Sequence, residues 1–247
     1  MKAIWQICRR EFKFFFVSPR GYVVMAAFLF LQGWIFNLIV SAFSRESAPT
    51  GSIMQIFLGG NIFFWIFLFL VLPVMTMGLL AEERRTGTLE LLLTAPVTEG
   101  QVILGKFFGA FLFYTALWIP TLLYPFLISY YSKLDWWPII GGYIYLIAVG
   151  APFVALGVFC STISKSQIAA AILTFSLMFL LFLMPIFLKS EVTLDWLSAA
   201  LRYMDLWDAR GDYGKGIIDS RLLVYTVTST LLLLIVSTRT LEVRKAR

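Results

Sequence analysis

The chain has 247 residues, of which 60% are hydrophobic and only 14% are charged. Soluble domains are close to half apolar, so this excess indicates a membrane protein without a large soluble domain. Histidine is absent, which excludes histidine general bases, histidine metal ligands and histidine proton relays. The net charge of +6 does not call for a nucleic acid partner, because Lys and Arg mainly set the orientation of a membrane protein. Cys8 and Cys160 lack the spacing of a metal site and are expected to be reduced thiols.

Residues 1–20 begin with an amphipathic pattern that differs from a cleavable signal peptide. One helical face is apolar and the other is basic and polar. The apolar face holds Trp5, Cys8, Phe12, Phe15 and Phe16, and the polar face holds Lys2, Gln6, Arg9, Arg10 and Lys13. We predict an interfacial helix whose bases face lipid phosphates, ended by Pro19 and Gly21 before the first span.

Six intervals without charge are long enough to suggest transmembrane helices, since about 20 apolar residues cross the bilayer core. They are residues 21–44, 47–81, 107–132, 136–164, 166–188 and 222–238. The second interval is too long for one span, so we expect its first part, 47–60, to lie outside the membrane. Arg221 and Arg239 can reach the two interfaces around the short sixth span. The predicted fold class is an all-α polytopic membrane protein with six transmembrane helices in one domain, 1–247.

Prolines and glycines within the spans predict bends. Pro73 and Gly78 predict a bend near the end of the second span, and Pro120 and Pro125 predict a kink in the third.

The distribution of basic residues predicts the orientation. Thirteen of the 20 Lys and Arg fall on the side that holds both termini and the loop after the second span, and seven fall on the other side. The side with thirteen should be cytoplasmic. Residues 189–220 are then an external amphipathic segment, with Leu194, Leu197, Leu201 and Met204 at helical spacing.

Residues 82–98 form a cytoplasmic loop with more leucines than a simple connection needs. Gly87 ends a first charged turn, Thr88 is a plausible helix N-cap, and Glu90 suits a first helical turn. Pro96 ends the short helix 89–94, and Thr98 begins the third span through a capping box with Gln101. The leucines of this loop require a surface that buries them. From the residues alone, that surface is either the chain's own bundle or a partner protein.

The run that begins at Gly100 matches seven positions of a Walker A motif and does not support nucleotide binding. Phe107 stands where Ser or Thr should hold magnesium, and no strand precedes the run. The capping box places it inside a helix. Gly105 and Gly109, four residues apart, instead predict close approach of another helix.

The spans carry no deep Asp, Glu, Lys or Arg, which argues against an ion-coupled carrier or a proton pump. No nucleophile–base pair or metal-ligand cluster is evident in the sequence. We therefore expect no catalytic, cofactor or metal site in this chain, and an energy source on another molecule.

The loop EERRTGTLELLLTAPVT, followed by a helix start with Gln, Gly and Lys, resembles the signature of ABC-2 type transporter permeases. The run 216–225 is similar to the subgroup of gliding-motility permease subunits. The resemblance implies that the loop forms a coupling helix that docks on an ATP-binding subunit. The implied contact residues are Glu82, Glu83, Arg84, Gly87, Thr88, Leu89, Glu90, Leu92 and Pro96. The implied supporting residues of the interfacial helix are Trp5, Arg9, Arg10, Phe12, Lys13 and Phe16.

The resemblance further implies a permease subunit, acting as an exporter in the bacterial inner membrane and surrounded by membrane lipids. A separate ABC ATP-binding subunit would hydrolyse ATP, and a second permease chain, identical or different, would complete the pathway. The transported substrate is not indicated. Two other functions stay open at this point: a polytopic scaffold or assembly subunit without transport, and a carrier driven by an ion gradient.

Overall fold

The computed structural model describes residues 2–44, 52–60, 62–88, 97–131, 133–188, 204–217 and 219–245. These residues form helices, turns and short connections, with no strand among them. The α-helices are α1 Lys2–Val17, α2 Pro19–Phe43, α3 Ile53–Gln55, α4 Ile62–Thr76, α5 Ala81–Arg85, α6 Glu99–Trp118, α7 Leu123–Tyr131, α8 Trp136–Ile163, α9 Gln167–Leu188, α10 Leu206–Tyr213 and α11 Ser220–Lys245. The predicted helix 89–94 and most of the predicted external helix lie outside the described residues.

Six helical stretches are long and apolar enough to cross a membrane. They are Pro19–Phe43, Phe64–Arg85, Glu99–Tyr131, Trp136–Ile163, Gln167–Pro185 and Ser220–Val243. The predicted all-α fold with six transmembrane helices is confirmed.

The second, third and fourth spans form the centre of the bundle. Their most apolar windows are 67%, 61% and 72% buried, against 22%, 28% and 28% for the first, fifth and sixth spans. The outer spans leave apolar faces exposed, for example Phe30 on α2 and Ile235 on α11. Such faces suit contact with lipid tails, which do not penalise exposed apolar side chains.

Both predicted bends are present. The second span stops at Thr76, turns through 77–80 and resumes as α5, so the break follows Pro73 and includes Gly78. The third span is interrupted by a 3₁₀ turn at Pro120–Leu122, because Pro120 cannot donate an α-helical hydrogen bond. The predicted capping box of Thr98 and Gln101 is also present at the start of α6.

The part of residues 47–60 that is described differs from a loose connection. Helix α3 and a π-helical turn, Ile56–Gly60, lead directly into α4. Met54, Phe57 and Leu58 are buried in the bundle. Apolar packing of these three side chains joins the segment to the bundle.

A tight corner joins α1 to α2. Ser18 caps α2 by accepting a hydrogen bond from the Gly21 amide at 3.2 Å, and Pro19 occupies the first turn of α2. A Cβ atom at Gly21 would lie 1.6 Å from the Phe15 carbonyl oxygen, so only glycine fits there. The corner turns α1 back against the end of the bundle that holds α5 and the start of α6, here called the α1 end.

Candidate functional site

Helix α1 packs mainly along the first half of α6. Added Cβ atoms at Gly105 and Gly109 would lie 2.7 Å from the Ile7 side chain and 2.6 Å from the Cβ of Glu11. These two glycines therefore provide the close helix approach that their spacing predicts, and the helix that approaches is α1.

Aromatic rings extend this contact along α1. The Phe15 and Phe113 rings stack with centroids 4.5 Å apart, and Phe16 meets Phe113 edge-on at 5.4 Å. Such pairs add about 0.5–1.5 kcal/mol beyond the burial of their area. Part of the apolar face of α1 is thus covered by α6.

Four charged side chains meet between α1, α5 and α6, and we call them the four-charge cluster: Arg10, Glu11, Glu83 and Lys106. The Lys106 ammonium lies 3.1 Å from Glu11 Oε1 and 2.8 Å from Glu83 Oε1, and the Lys106 side chain is only 1% exposed. Arg10 lies 2.8 Å from Glu11 and 3.1 Å from Glu83. Burial raises the pKa of Glu11, but the charges and hydrogen bonds of Lys106 and Arg10 outweigh it and lower that pKa overall. Glu11 is therefore ionised at neutral pH, and the cluster carries two positive and two negative charges.

A second ion pair ties α5 to the start of α2. Glu82 lies 2.9 Å from Arg85 on its own helix and 3.6 Å from Arg20. Both arginine side chains are more than half exposed, so this pair contributes little to stability and mainly sets the direction of Glu82.

The end of α8 holds the broken second span in place. Ser161 accepts hydrogen bonds from the Leu80 and Ala81 amides, each at 3.0 Å, and donates to the Met77 carbonyl at 3.1 Å. Arg84 donates to the Thr162 and Ser164 carbonyls at 2.7 and 3.0 Å. Helix ends leave carbonyls without intrahelical partners and carry partial negative charge, so a guanidinium suits this position.

Replacing Ser161 with alanine is expected to destabilise the protein by about 2 kcal/mol, because two buried amides lose their acceptor. Unfolding by SDS in mixed micelles, followed by tryptophan fluorescence, measures this change. Ser129→Ala is the matched control, since Ser129 is exposed and, among the described residues, donates to the Phe126 carbonyl of its own helix. Equal stability of the two variants would contradict a structural role for Ser161.

The loop leaves α5 on the surface. Arg85, Thr86, Gly87 and Thr88 are exposed, and Gly87 has a φ of +72°, a conformation that glycine adopts readily. Gly87 thus ends the charged turn as its position predicts. Thr88 Oγ1 donates to the Glu83 carbonyl at 3.3 Å. The helix 89–94 that Thr88 is predicted to cap lies outside the described residues. The same holds for the expected contact residues Leu89, Glu90, Leu92 and Pro96.

The structure divides the residues expected to contact a partner into two groups. Glu82, Glu83 and Arg84 make contacts within the chain and fix α5 to α1, α2, α6 and α8. Gly87 and Thr88 are exposed at the end of this anchored segment. The first group therefore has a positioning role in the bundle.

The residues expected to support the site from α1 also fall into two groups. Phe12 and Phe16 are half-buried against the core, and Arg10 joins the four-charge cluster. Arg9 and Lys13 are exposed, and Trp5 is 64% exposed although the helical pattern placed it with the buried Cys8 and Phe15. The buried residues of α1 are instead Ile7, Cys8, Glu11 and Phe15.

Sequence reasoning did not find Glu11 and Lys106, the most buried pair of the cluster. One signal was available: Glu11 is the only acidic residue before residue 46. Lys106 attracted notice only as part of the Walker-like run, which the structure places within α6.

The sequence of the chain matches a known protein family. The family description "ABC-2 family transporter protein" matches residues 5–237, which is nearly the whole chain. The chain belongs to the ABC-2 transporter family. No curated protein sequence matches it significantly.

Membership agrees with the fold, since an ABC-2 protein is a multi-pass membrane component of a transporter. This ABC-2 chain is thus a permease subunit of an ABC transporter, and association with an ATP-binding subunit follows from the family.

Proposed function

We propose that this ABC-2 chain couples ATP hydrolysis on a separate ATP-binding subunit to export of a substrate. In this proposal the α1 end is cytoplasmic, both termini lie inside, and the membrane is the bacterial inner membrane. A second permease chain, identical or different, pairs with this one. ATP binds to the partner subunit, and this chain supplies no catalytic residue.

The observation that carries the proposal is the anchoring of α5. Three of its four charged residues, Glu82, Glu83 and Arg84, contact four other helices, and the exposed turn at Gly87 leads into the loop. A simple connection between two spans does not need such anchoring. A segment that receives force does, because a loosely attached segment would move without moving the spans.

The two helices that flank the loop in sequence are both anchored in the bundle. On one side α5 is joined to the end of α8 through Arg84 and to α1 through Glu83. On the other side α6 begins at the Thr98–Gln101 capping box and carries Lys106, which also bonds to Glu83. A displacement of the loop by an ATP-binding subunit would therefore move α1, α6 and α8 together. Two of these helices belong to the buried centre of the bundle.

Replacing Leu89, Glu90 and Leu92 together with alanine is expected to weaken association with the ATP-binding subunit about tenfold or more, since a few apolar anchors dominate such contacts. Co-purification of the tagged permease with its ATP-binding subunit measures the effect. The control is Arg239→Ala with Glu242→Ala, which removes an exposed ion pair from the C-terminal part of α11.

Unchanged association of the triple variant would contradict the docking proposal and would favour a scaffold whose leucines pack on its own bundle. The unaltered permease could bind the ATP-binding subunit without changing the ATPase rate of that subunit. This result would contradict the coupling part of the proposal and leave the docking part standing.

A further inference from the structure

A cavity of about 300 Å³ opens at the α1 end between α1, the start of α2, the end of α4 and α5. One part of its lining is charged and the other is apolar. The charged part holds Arg10, Glu11, Arg20, Glu82, Glu83 and Lys106, and the apolar part includes Phe14, Phe15, Val24, Val74 and Met75.

Two carboxylate oxygens in this lining lack hydrogen bonds. Oε2 of Glu82 and Oε2 of Glu83 are buried, and the described part of the chain offers neither a hydrogen-bond donor. The nearest charge to Glu82 Oε2 is Arg20 at 3.6 Å, beyond hydrogen-bonding distance. Buried carboxylate oxygens are expensive to leave without donors, so a donor from outside the chain would stabilise this arrangement.

Positive charge is available in the same cavity. The Arg20 and Arg10 side chains are 56% and 52% exposed, so a further anion can approach both. A ligand that fits must therefore carry an ammonium donor for the two carboxylates and an anion for an arginine.

The apolar part of the cavity continues onto the outside of the bundle. Phe14 is 55% exposed and Val74 is 39% exposed, and both also line the cavity. Val23, next to the lining residue Val24, is 68% exposed on α2. Since α2 and α4 belong to membrane-spanning stretches, hydrocarbon chains can lie along these side chains while a polar group enters the cavity.

We propose that this cavity binds the headgroup of a phospholipid with a primary ammonium group, as in phosphatidylethanolamine. The ammonium donates to Oε2 of Glu82 and Glu83, and the phosphate accepts from Arg20. The acyl chains lie along Phe14 and Val74. A choline headgroup has the same charges but no N–H donor, and a glycerol headgroup has neutral O–H donors but no cation, so neither supplies a charged donor to the carboxylates. The proposal does not depend on ATP coupling.

The test is a titration of the purified full-length chain in detergent with short-chain phosphatidylethanolamine, phosphatidylcholine and phosphatidylglycerol of equal acyl length, read by native mass spectrometry. The ethanolamine lipid is expected to bind about tenfold more tightly than the other two. Glu82→Gln should remove this preference. Val74→Trp, which narrows the cavity and changes no charge, should weaken binding of the ethanolamine lipid. The matched control Glu242→Gln, in the exposed pair with Arg239, should leave the preference intact.

Equal binding of the three lipids to the unaltered chain would overturn the proposal. So would a preference that survives both Glu82→Gln and Val74→Trp. If the unaltered chain shows no lipid preference and its Glu82→Gln variant no longer binds the ATP-binding subunit, the lipid proposal is overturned. The cavity would then bind a basic side chain of that subunit. Because lipid binding is measured on the permease alone, failure of ATP coupling and failure of lipid binding remain distinguishable.

Discussion

Lys106→Met is expected to destabilise the protein by about 3–5 kcal/mol. Methionine keeps the length and the apolar stem of lysine but removes the ammonium that lies within 3.1 Å of both Glu11 and Glu83. Two buried carboxylates then share a single cation, Arg10, and the cost of their burial is no longer offset. SDS-induced unfolding in mixed micelles measures the loss.

The control for this variant is Arg239→Ala, which removes one partner of an exposed ion pair and should change stability by about 0–1 kcal/mol. The double variant Glu11→Gln with Lys106→Met should be less destabilised than the sum of the two single changes, because removing one carboxylate relieves the other's excess negative charge. A loss for Lys106→Met as small as that for Arg239→Ala would show that the four-charge cluster does not hold α1, α5 and α6 together.

Gly109→Ala is expected to destabilise the protein by about 1–3 kcal/mol, although alanine normally favours a helix over glycine. The added methyl group would lie 2.6 Å from the Cβ of Glu11 and 3.1 Å from the Cys8 carbonyl oxygen. Neither atom is the end of a flexible side chain, so α1 as a whole must move away from α6. Unfolding in SDS reports the loss.

Gly100→Ala on the same helix separates packing from helix propensity. Among the described residues its methyl group would approach Thr238 Cγ2 at 3.7 Å, an ordinary contact, so the change should stabilise the protein by about 0.5 kcal/mol. The two alanine substitutions should therefore have opposite signs. If both alanine substitutions stabilise the protein, the close approach of α1 and α6 in the structure is wrong.

Most of the fold could be predicted from the sequence because the membrane imposes simple rules. Long intervals without charge can only be helices, so six spans follow directly, and Pro120 places one break where a backbone hydrogen bond is lost. Gly78 lies in the turn that interrupts the second span. The spacing of Gly105 and Gly109 predicts a close helix contact but not the partner helix. Identifying α1 as that partner requires the corner at Ser18 and Gly21, whose direction no local pattern specifies.

The candidate site was predictable only in part, since its key pairs join distant segments. Glu11 and Lys106 are 95 positions apart, and each has a plausible local interpretation, one as a solvated residue of an amphipathic helix and the other as part of a Walker-like run. Likewise, Glu83 and Arg84 look like an exposed charged turn. Only the fold shows that they face α1, α6 and α8, and that Ser161 supplies the hydrogen bonds that the broken second span lacks.

The same 95-residue separation has a consequence for how the chain is made. At about 5–20 residues per second, a ribosome needs about 5–20 s to synthesise the chain between Glu11 and Lys106. During that interval α1 exists without α6, and two spans must enter the membrane before its partner helix is available. Arg10 can neutralise the carboxylate of the adjacent Glu11 while α1 lies at the membrane surface without α6. Insertion of the third span would then capture α1, so the end of the bundle next to the loop is assembled only after half of the spans are in place.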